Sequence, residues 1–346
     1  MSTPNSVVIQ VVVRNGERYI RRCLDAVLRQ THRPIELYVL DNASTDTTAA
    51  IVAHEYPDAH LIQSDTNHGM WPGQELLLSL TSSEFVCALS VDVIIADDFV
   101  AQCVRSSMQD PAIGAIQGKL FQYTVDDLLN DTREALPKLV IDTCGFSLSR
   151  ARTVVNIGHG QSDSQALQHA CDIFGVEGAV PFFRRSALQS CRVGKRIWDV
   201  DYFWYGDDLD LAWRMTLFGF RQVFEPTAIA WHDRSTTKGA AKVPIIDHVR
   251  RRSIRSRIPL QKRRLDWSNT RFTIIKNEYI INFLRDAPYI LLREMGVLLY
   301  TILFEPAVLL ELPRFIRLLP RMISQRKEVQ RRAIVSADAL YSWFHT

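Results

Sequence analysis

Asp207, Asp208 and Asp210 place three carboxylates within four residues, directly after the aromatic run Tyr202, Phe203, Trp204 and Tyr205. The segment reads as a helix start, where negative charge is favoured, so a solvated cap is the plainest role. The adjacency of Asp207 and Asp208 opens a second role. Two neighbouring carboxylates in an enclosed site repel each other and raise the pKa of at least one. A carboxyl tuned in this way is a general base.

Such a base needs a scaffold, and the first part of the chain supplies an alternation of strands and helices. Val7 to Val13 is apolar except for Gln10, as expected of a strand buried on both faces. Glu17 to Leu28 has helical spacing, and Ile35 to Leu40 is a second strand ending at Asp41. Ser44, Thr45 and Asp46 cap a helix reaching Tyr56, Leu61 and Ile62 mark a third strand, and Pro72 opens another helix. Phe85 to Val91 is a fourth strand, ending at Asp92. This alternation implies a parallel sheet with right-handed crossovers. Ligands of such sheets bind beyond the carboxyl ends of the strands. Arg14, Asn15, Asp41, Asn42 and Asp92 all fall there, although Asp41 and Asp92 can equally cap the loops that follow.

The 346 residues are 47% hydrophobic and 23% charged, enough for one large domain or two ordinary ones, and a net charge of +3 does not call for nucleic acid. None of the six cysteines forms a CxxC or zinc-knuckle spacing, which fits a reducing cytosol. The N-terminus lacks a basic flank followed by an apolar segment, so secretion is not expected.

Val176 to Phe183 reads as a buried strand, and Arg221 to Phe224 and Ala228 to Trp231 as two short strands around Pro226, the second ending at His232. Basic residues crowd Arg250 to Arg264 and again Arg314 to Arg332. From Tyr279 to Leu319 the chain is largely apolar but interrupted by Arg293, Glu294, Glu305 and Glu311, so it falls short of a clean bilayer span. Two roles stay open for this region. It packs on the catalytic domain or on a second subunit, as in a homodimer, or it lies in the plane of an inner-leaflet membrane surface with its arginines on anionic lipid.

Taken in order, these residues resemble the family 2 glycosyltransferases, inverting enzymes of the GT-A fold, with the bacterial rhamnosyltransferase-like branch the nearest in look. The resemblance rests on Val11 to Asn15, on Leu40 to Asp46, on Asn67, His68, Gly69 and Gly73, on Phe174 to Ala179 with Arg184 and Arg185, on Tyr205 to Arg214, and on Trp231 to Ser235. It implies an α/β GT-A nucleotide-diphospho-sugar transferase fold, with a mostly parallel central sheet flanked by helices and a C-terminal helical extension. The expected layout is a catalytic domain over residues 1–240, with a nucleotide-sugar half at 1–116 and an acceptor half at 117–240. A basic connecting loop at 241–270 and a helical region at 271–346 follow.

The resemblance also implies roles. Val13, Arg14, Asn15, Asp41, Asn42, Asn67, Gly69, Ser90 and Val91 would bind a UDP- or dTDP-sugar, with Asp41 accepting from the ring N3–H. Asp92 and His232 would hold Mg2+ or Mn2+ against the diphosphate. Gly178, Ala179, Trp204 and Tyr205 would face a glycan or lipid-linked acceptor. Asp208, or else Asp207, would take the acceptor proton in a single inverting displacement. A cytoplasmic protein, peripheral at the cytoplasmic face of the membrane if the helices bind lipid, follows from this picture.

The chain departs from the family pattern at Ser90-Val91-Asp92, where Asp-x-Asp is usual, and at Asp207, where glutamate is common. A non-catalytic glycan- or partner-binding relative is one alternative, supported by Ser90. A dinucleotide-dependent oxidoreductase is a remote one, because Arg14-Asn15-Gly16-Glu17 is no GxGxxG turn. His159, between two glycines, is expected in a loop near the acceptor entrance or on an acceptor phosphate. Among Trp198, Trp204, Trp213 and Trp231, core packing is the default and sugar stacking the alternative.

Overall fold

The computed structural model describes residues 3–125, 140–233, 255–256 and 258–345. The N-terminal half alternates as its patterning requires: β1 (Val7–Val13), α1 (Ile20–Leu28), β2 (Ile35–Asn42), α2 (Thr48–Glu55), β3 (His60–Ser64), α3 (Met70–Ser79), β4 (Phe85–Leu89), β5 (Val93–Ile95) and α4 (Phe99–Ser107). Strands β4, β1, β2 and β3 are neighbours in that order and pair in parallel, with Val13 opposite Asp41 and Val11 opposite Leu89. β1 and β4 are buried along their whole length, which explains their unbroken apolar runs.

The second half is mixed rather than parallel. It comprises β6 (Ile113–Gln122), β7 (Ile141–Thr143), β8 (Phe146–Ser149), β9 (Val154–Asn156), β10 (Cys171–Ile173), β11 (Phe182–Arg184), α5 (Arg185–Ser190), α6 (Asp207–Leu217) and β12 (Arg221–His232). β11 runs antiparallel between β4 and β6, while β12 lies parallel to β6. The sheet therefore departs from the mostly parallel expectation on this side. Two local expectations also change. The run from Val176 is a buried turn, and only Phe182 to Arg184 pair as a strand. Arg221 to His232 form one strand whose register to β6 shifts around Pro226, where the proline offers no N–H to the ladder.

The C-terminal region is helical: α7 (Leu260–Asn277), α8 (Ile280–Arg285), α9 (Ala287–Phe304), a 3₁₀ segment (Pro306–Glu311), α10 (Leu312–Arg332) and α11 (Ala337–Tyr341), ending in β13 (Phe344–His345). Residues 260–270, expected in a connecting loop, are the first turns of α7. Arg234, Ser235 and Arg250 to Arg252 lie outside the described residues.

This region is woven into the second half of the fold rather than appended to it. β13 pairs with β8, and Val329, Leu340 and Phe344 share a core cluster with Phe146, Phe174 and Trp213. Buried charges continue the link. Asp210 of α6 accepts from Arg214 at 3.0 Å, from Lys276 at 2.9 Å and from Asn277 at 2.8 Å. Burial opposes the Asp210 charge, but Lys276 and Arg214 outweigh it and hold its pKa below the usual carboxylate range.

Candidate active site

At the carboxyl edge of the parallel strands, two loops lock together. Asn15 Oδ1 accepts from Thr45 N at 2.8 Å, Ser44 Oγ accepts from Asn15 N at 2.9 Å, and Thr48 Oγ1 accepts from Gly16 N at 2.8 Å. Gly16 is the residue that lets these loops close: a Cβ there would stand 2.4 Å from a Val13 methyl and 3.2 Å from one of Val91. Arg14 lies exposed beside Ala43, and Val13 is buried beneath.

Asp41 ends β2 and is only 5% exposed, and its Oδ1 has no hydrogen-bond partner among the described residues. A buried carboxylate oxygen without a donor is costly unless a ligand supplies one. Asn42 behaves differently. Its amide donates to Asn67 Oδ1 at 2.9 Å and to the Gly69 carbonyl at 3.2 Å, and accepts from His68 N at 2.8 Å. Asn42 and Asn67 thus spend their side chains holding the glycine turn in place. Gly69, at φ +88°, packs so close to the Phe203 carbonyl that a Cβ would stand 2.6 Å from it.

Ser90, Val91 and Asp92 leave β4 partly exposed, and Ser90 N donates to the Ala179 carbonyl at 2.8 Å. That bond draws Gly178 and Ala179 against the strand ends, although Ala179 itself is buried. Gly178 in turn abuts Asp208: a Cβ on Gly178 would be 3.4 Å from Asp208 Oδ2. These contacts link the end of β4 to Asp208, and the glycine turn to the loop before it, along one edge of the sheet that is the candidate cleft.

The two adjacent aspartates separate sharply. Successive helical residues point about 100° apart, so only one of the pair can face the cleft. Asp208 does so, partly buried, with its Oδ1 accepting from Leu209 N at 2.8 Å. Burial and the nearby Glu177 carboxylate raise its pKa to about 6, against the pull of the Leu209 and Gly178 N–H groups. Asp207 turns inward, 2% exposed, with neither carboxyl oxygen hydrogen-bonded among the described residues. Burial, then Asp208 and Asp210, push its pKa well above its ordinary value. Of the two carboxyls expected as the base, Asp208 is the partly exposed one and Asp207 is turned into the interior.

The loop over residues 202–206, expected to face the acceptor, is conformationally demanding. Phe203, Tyr205 and Gly206 have φ of 58°, 69° and 81°. One side chain holds it: the Asn269 amide of α7 donates to the carbonyls of Tyr202 at 3.0 Å, Trp204 at 3.0 Å and Tyr205 at 2.7 Å. Trp204 is 39% exposed, whereas Trp198, Trp213 and Trp231 are buried in the core. The Lys262 ammonium stands 4.0 Å from the Tyr205 ring centre. Arg184 and Arg185 do not reach the cleft. They donate to carbonyls, Arg185 to those of Leu78, Thr81 and Ser83.

His232 Nε2 lies 3.6 Å from Asp92 Oδ2, and His232 Nδ1 lies 2.9 Å from Asp142 Oδ2. Burial disfavours the imidazolium, but the bonds to Asp142 and Asp92 outweigh it and raise its pKa to about 10. Asp142, on β7, also approaches His159, whose Nδ1 lies 2.6 Å from the Asp142 carbonyl oxygen. His159 thus stands behind the pair. A partly exposed carboxylate beside an imidazole that a second carboxylate orients would suit a divalent cation, whose binding would displace the Nε2 proton. Among the described residues no three His, Cys, Asp or Glu side chains form a complete metal-holding group, so phosphate oxygens and water would complete the shell.

Sequence reasoning missed Asp142, Asn269 and Lys276. Nothing in their spacing links them to the site, because each acts across the fold.

The sequence model of glycosyl transferase family 2 matches residues 6–155. The chain is 23% identical over 220 residues to the poly-beta-1,6-N-acetyl-D-glucosamine synthase of Staphylococcus epidermidis, covering 63% of this chain and 47% of that protein. It spans about half the length of the curated relatives it matches. Among solved structures, GalNAc-T7 with UDP, GalNAc and Mn2+ superposes with a TM-score of 0.53 at 13% identity, over 66% of this chain and 44% of that one. The mannosyltransferase PcManGT from Pyrobaculum calidifontis, in complex with GDP-Man and Mn2+, aligns over 97% of this chain and 87% of its own, with a TM-score of 0.48 and 16% identity. The fold is that of the GT-A nucleotide-sugar transferases.

Proposed function

We propose that the chain is an inverting glycosyltransferase that moves a sugar from a uracil- or thymine-nucleotide donor to a hydroxyl of a glycan or lipid-linked acceptor in cell-surface polysaccharide synthesis. The observation that carries this reading is Asp208. It is a cleft-facing carboxyl with a pKa of about 6, lying on Gly178 beside the strand-end loops. Such a group is ionised at neutral pH yet basic enough to accept a proton in the transition state.

Asp41 Oδ1 would accept the N3–H of the base, which supplies the donor it lacks. Loops 14–16 and 43–48 would frame the nucleotide. Asp92 and His232 would hold Mg2+ or Mn2+, whose chemistry is to neutralise the diphosphate as it leaves. Asp208 takes the proton of the acceptor hydroxyl while that oxygen bonds to the anomeric carbon from the face opposite the phosphate. The bond to phosphate breaks, its electron pair leaves with the nucleoside diphosphate, and the configuration inverts. One base acting on one attacking hydroxyl suits this one-step displacement, whereas a two-step hydrolysis needs a carboxylate nucleophile as well. Glycosyl transferase family 2 similarity over residues 6–155 supports the same class.

The name of the Staphylococcus epidermidis relative makes UDP-N-acetylglucosamine the first donor to try. UDP- and dTDP-rhamnose follow, from the rhamnosyltransferase-like look of the motifs. The test is nucleotide release from UDP-, dTDP- and GDP-sugars with Mg2+ or Mn2+, run beside Asp208→Asn. Metal-dependent release of UDP or dTDP that the substitution abolishes is the expected result. Release unchanged by Asp208→Asn would overturn the base assignment. Metal-dependent donor binding without turnover under any acceptor would favour a glycan-binding relative.

A further inference from the structure

Helix α9 is long and apolar enough to cross a membrane by length and composition, yet only 17% of it is buried against the rest of the chain. Its exposed residues Leu291, Leu292, Met295, Leu298, Leu299 and Leu303 recur at helical spacing and form one stripe, each 47% to 72% exposed. Leu284 and Leu310, on the segments that flank α9, are exposed as well, and so are Ile316 and Ile323 of α10. A contiguous surface of this kind marks an interaction site.

The helix is held flat against the body by three carboxylates. Asp286, just before its start, accepts from Arg150 at 2.7 Å and Arg152 at 2.7 Å. Glu294, near its middle, accepts from Arg271 of α7 at 2.6 Å. Glu305, just past its end, accepts from Arg255 at 2.6 Å and lies 3.4 Å from Arg263. Both ends therefore sit on the same side, which a bilayer-crossing helix cannot do while the body remains folded.

We propose that this surface lies in the plane of an anionic lipid bilayer, with the α9 stripe in the headgroup–acyl boundary and α10 along the headgroups. Charge selects lipid over a second copy of the chain. α10 carries seven arginines and lysines against one glutamate, and Arg317, Lys327 and Arg331 are exposed beside Ile316 and Ile323. A two-fold contact through this face would set that basic helix near its own duplicate, whereas phosphatidylglycerol or another anionic headgroup neutralises it. α7 links this surface to the cleft: its Arg271 grips α9, while its Asn269 holds the acceptor loop.

The test is flotation of the full chain with vesicles, without donor or acceptor, so it is independent of sugar transfer. One set is phosphatidylcholine alone and the other contains about one-third phosphatidylglycerol. Preferential recovery with the anionic vesicles is expected. Leu292→Glu combined with Leu299→Glu should lower partition about tenfold or more. Arg317→Glu combined with Lys327→Glu should lower it about fivefold per residue, on anionic vesicles only. Both pairs are on exposed positions, and an unchanged melting temperature will show that they fold. Absence of partition by the unsubstituted chain would overturn the proposal. So would a dimer in sedimentation analysis that Leu292→Glu with Leu299→Glu dissolves while vesicle binding persists.

Discussion

The Asp210 carboxylate of α6 and the Lys276 ammonium of α7 meet at 2.9 Å with both side chains almost wholly buried. The pair joins the helix that starts with the candidate base to the C-terminal region. Its attraction survives because Arg214 and Asn277 satisfy the remaining carboxylate positions. Lys276→Met removes one partner and leaves charge behind in a dry site. We expect a loss of about 3 kcal/mol in unfolding free energy by denaturant titration. A loss below about 1 kcal/mol would mean that the pair contributes no more than a surface bridge.

As the proposed base, Asp208 would set the pH dependence of turnover. With its pKa raised to about 6, the base is protonated and inactive below that value and ionised above it. The rate at saturating substrates should rise tenfold per pH unit below about 6 and level off near neutrality. Asp208→Asn should lower kcat by about 100- to 10,000-fold while leaving donor binding by calorimetry unchanged. A wild-type profile flat from pH 5 to 8 would count against a titrating Asp208 base.

Asp207 shapes stability rather than rate. Its folded pKa lies well above the value of about 3.9 it takes when unfolded. Its contribution to stability is therefore fully present below about pH 4 and is lost as the pH rises towards the folded pKa, because the unfolded chain releases the proton first. Asp207→Asn keeps a neutral side chain of the same shape at every pH. The melting temperature of the unsubstituted chain should fall more between pH 5 and pH 8 than that of the variant. Parallel falls would show that Asp207 ionises freely in the fold.

Asp142 fixes which ring nitrogen of His232 faces Asp92. Asp142→Asn keeps the shape but weakens that control. The apparent Kd for Mn2+ measured with UDP present should rise about 10- to 100-fold, as such supporting residues typically show. An unchanged Kd with lost activity would move Asp142 out of metal support.

Much of this was legible along the chain. Asp41 and Asp92 announce themselves because parallel strands collect ligand contacts at their carboxyl ends. The adjacency of Asp207 and Asp208 was visible too, but adjacency does not reveal helix phase, and phase decides which carboxyl sees the cleft. Val176 to Phe183 has the apolar content of a strand, yet only Phe182 and Phe183 pair as one; the stretch before them turns, with Ser90 bonded to the Ala179 carbonyl and Gly178 against Asp208. Asn42 matches a nucleotide-contact motif but serves the glycine turn, a distinction only the folded geometry makes. Asp142 and Asn269 lie 90 and 64 residues from the groups they support, beyond the reach of any local pattern.

Three carbonyl contacts to one amide, from Tyr202, Trp204 and Tyr205, mean that the segment before Asp207 does not own its shape. Loop and helix form a single heritable unit split between distant parts of the gene. Transplanting residues 202–206 alone into another scaffold would deliver the aromatic side chains but not their directions. A chimera built to exchange acceptor preference must carry α7 with the loop, and a substitution at Asn269 should redirect Trp204 and Tyr205 without altering either residue.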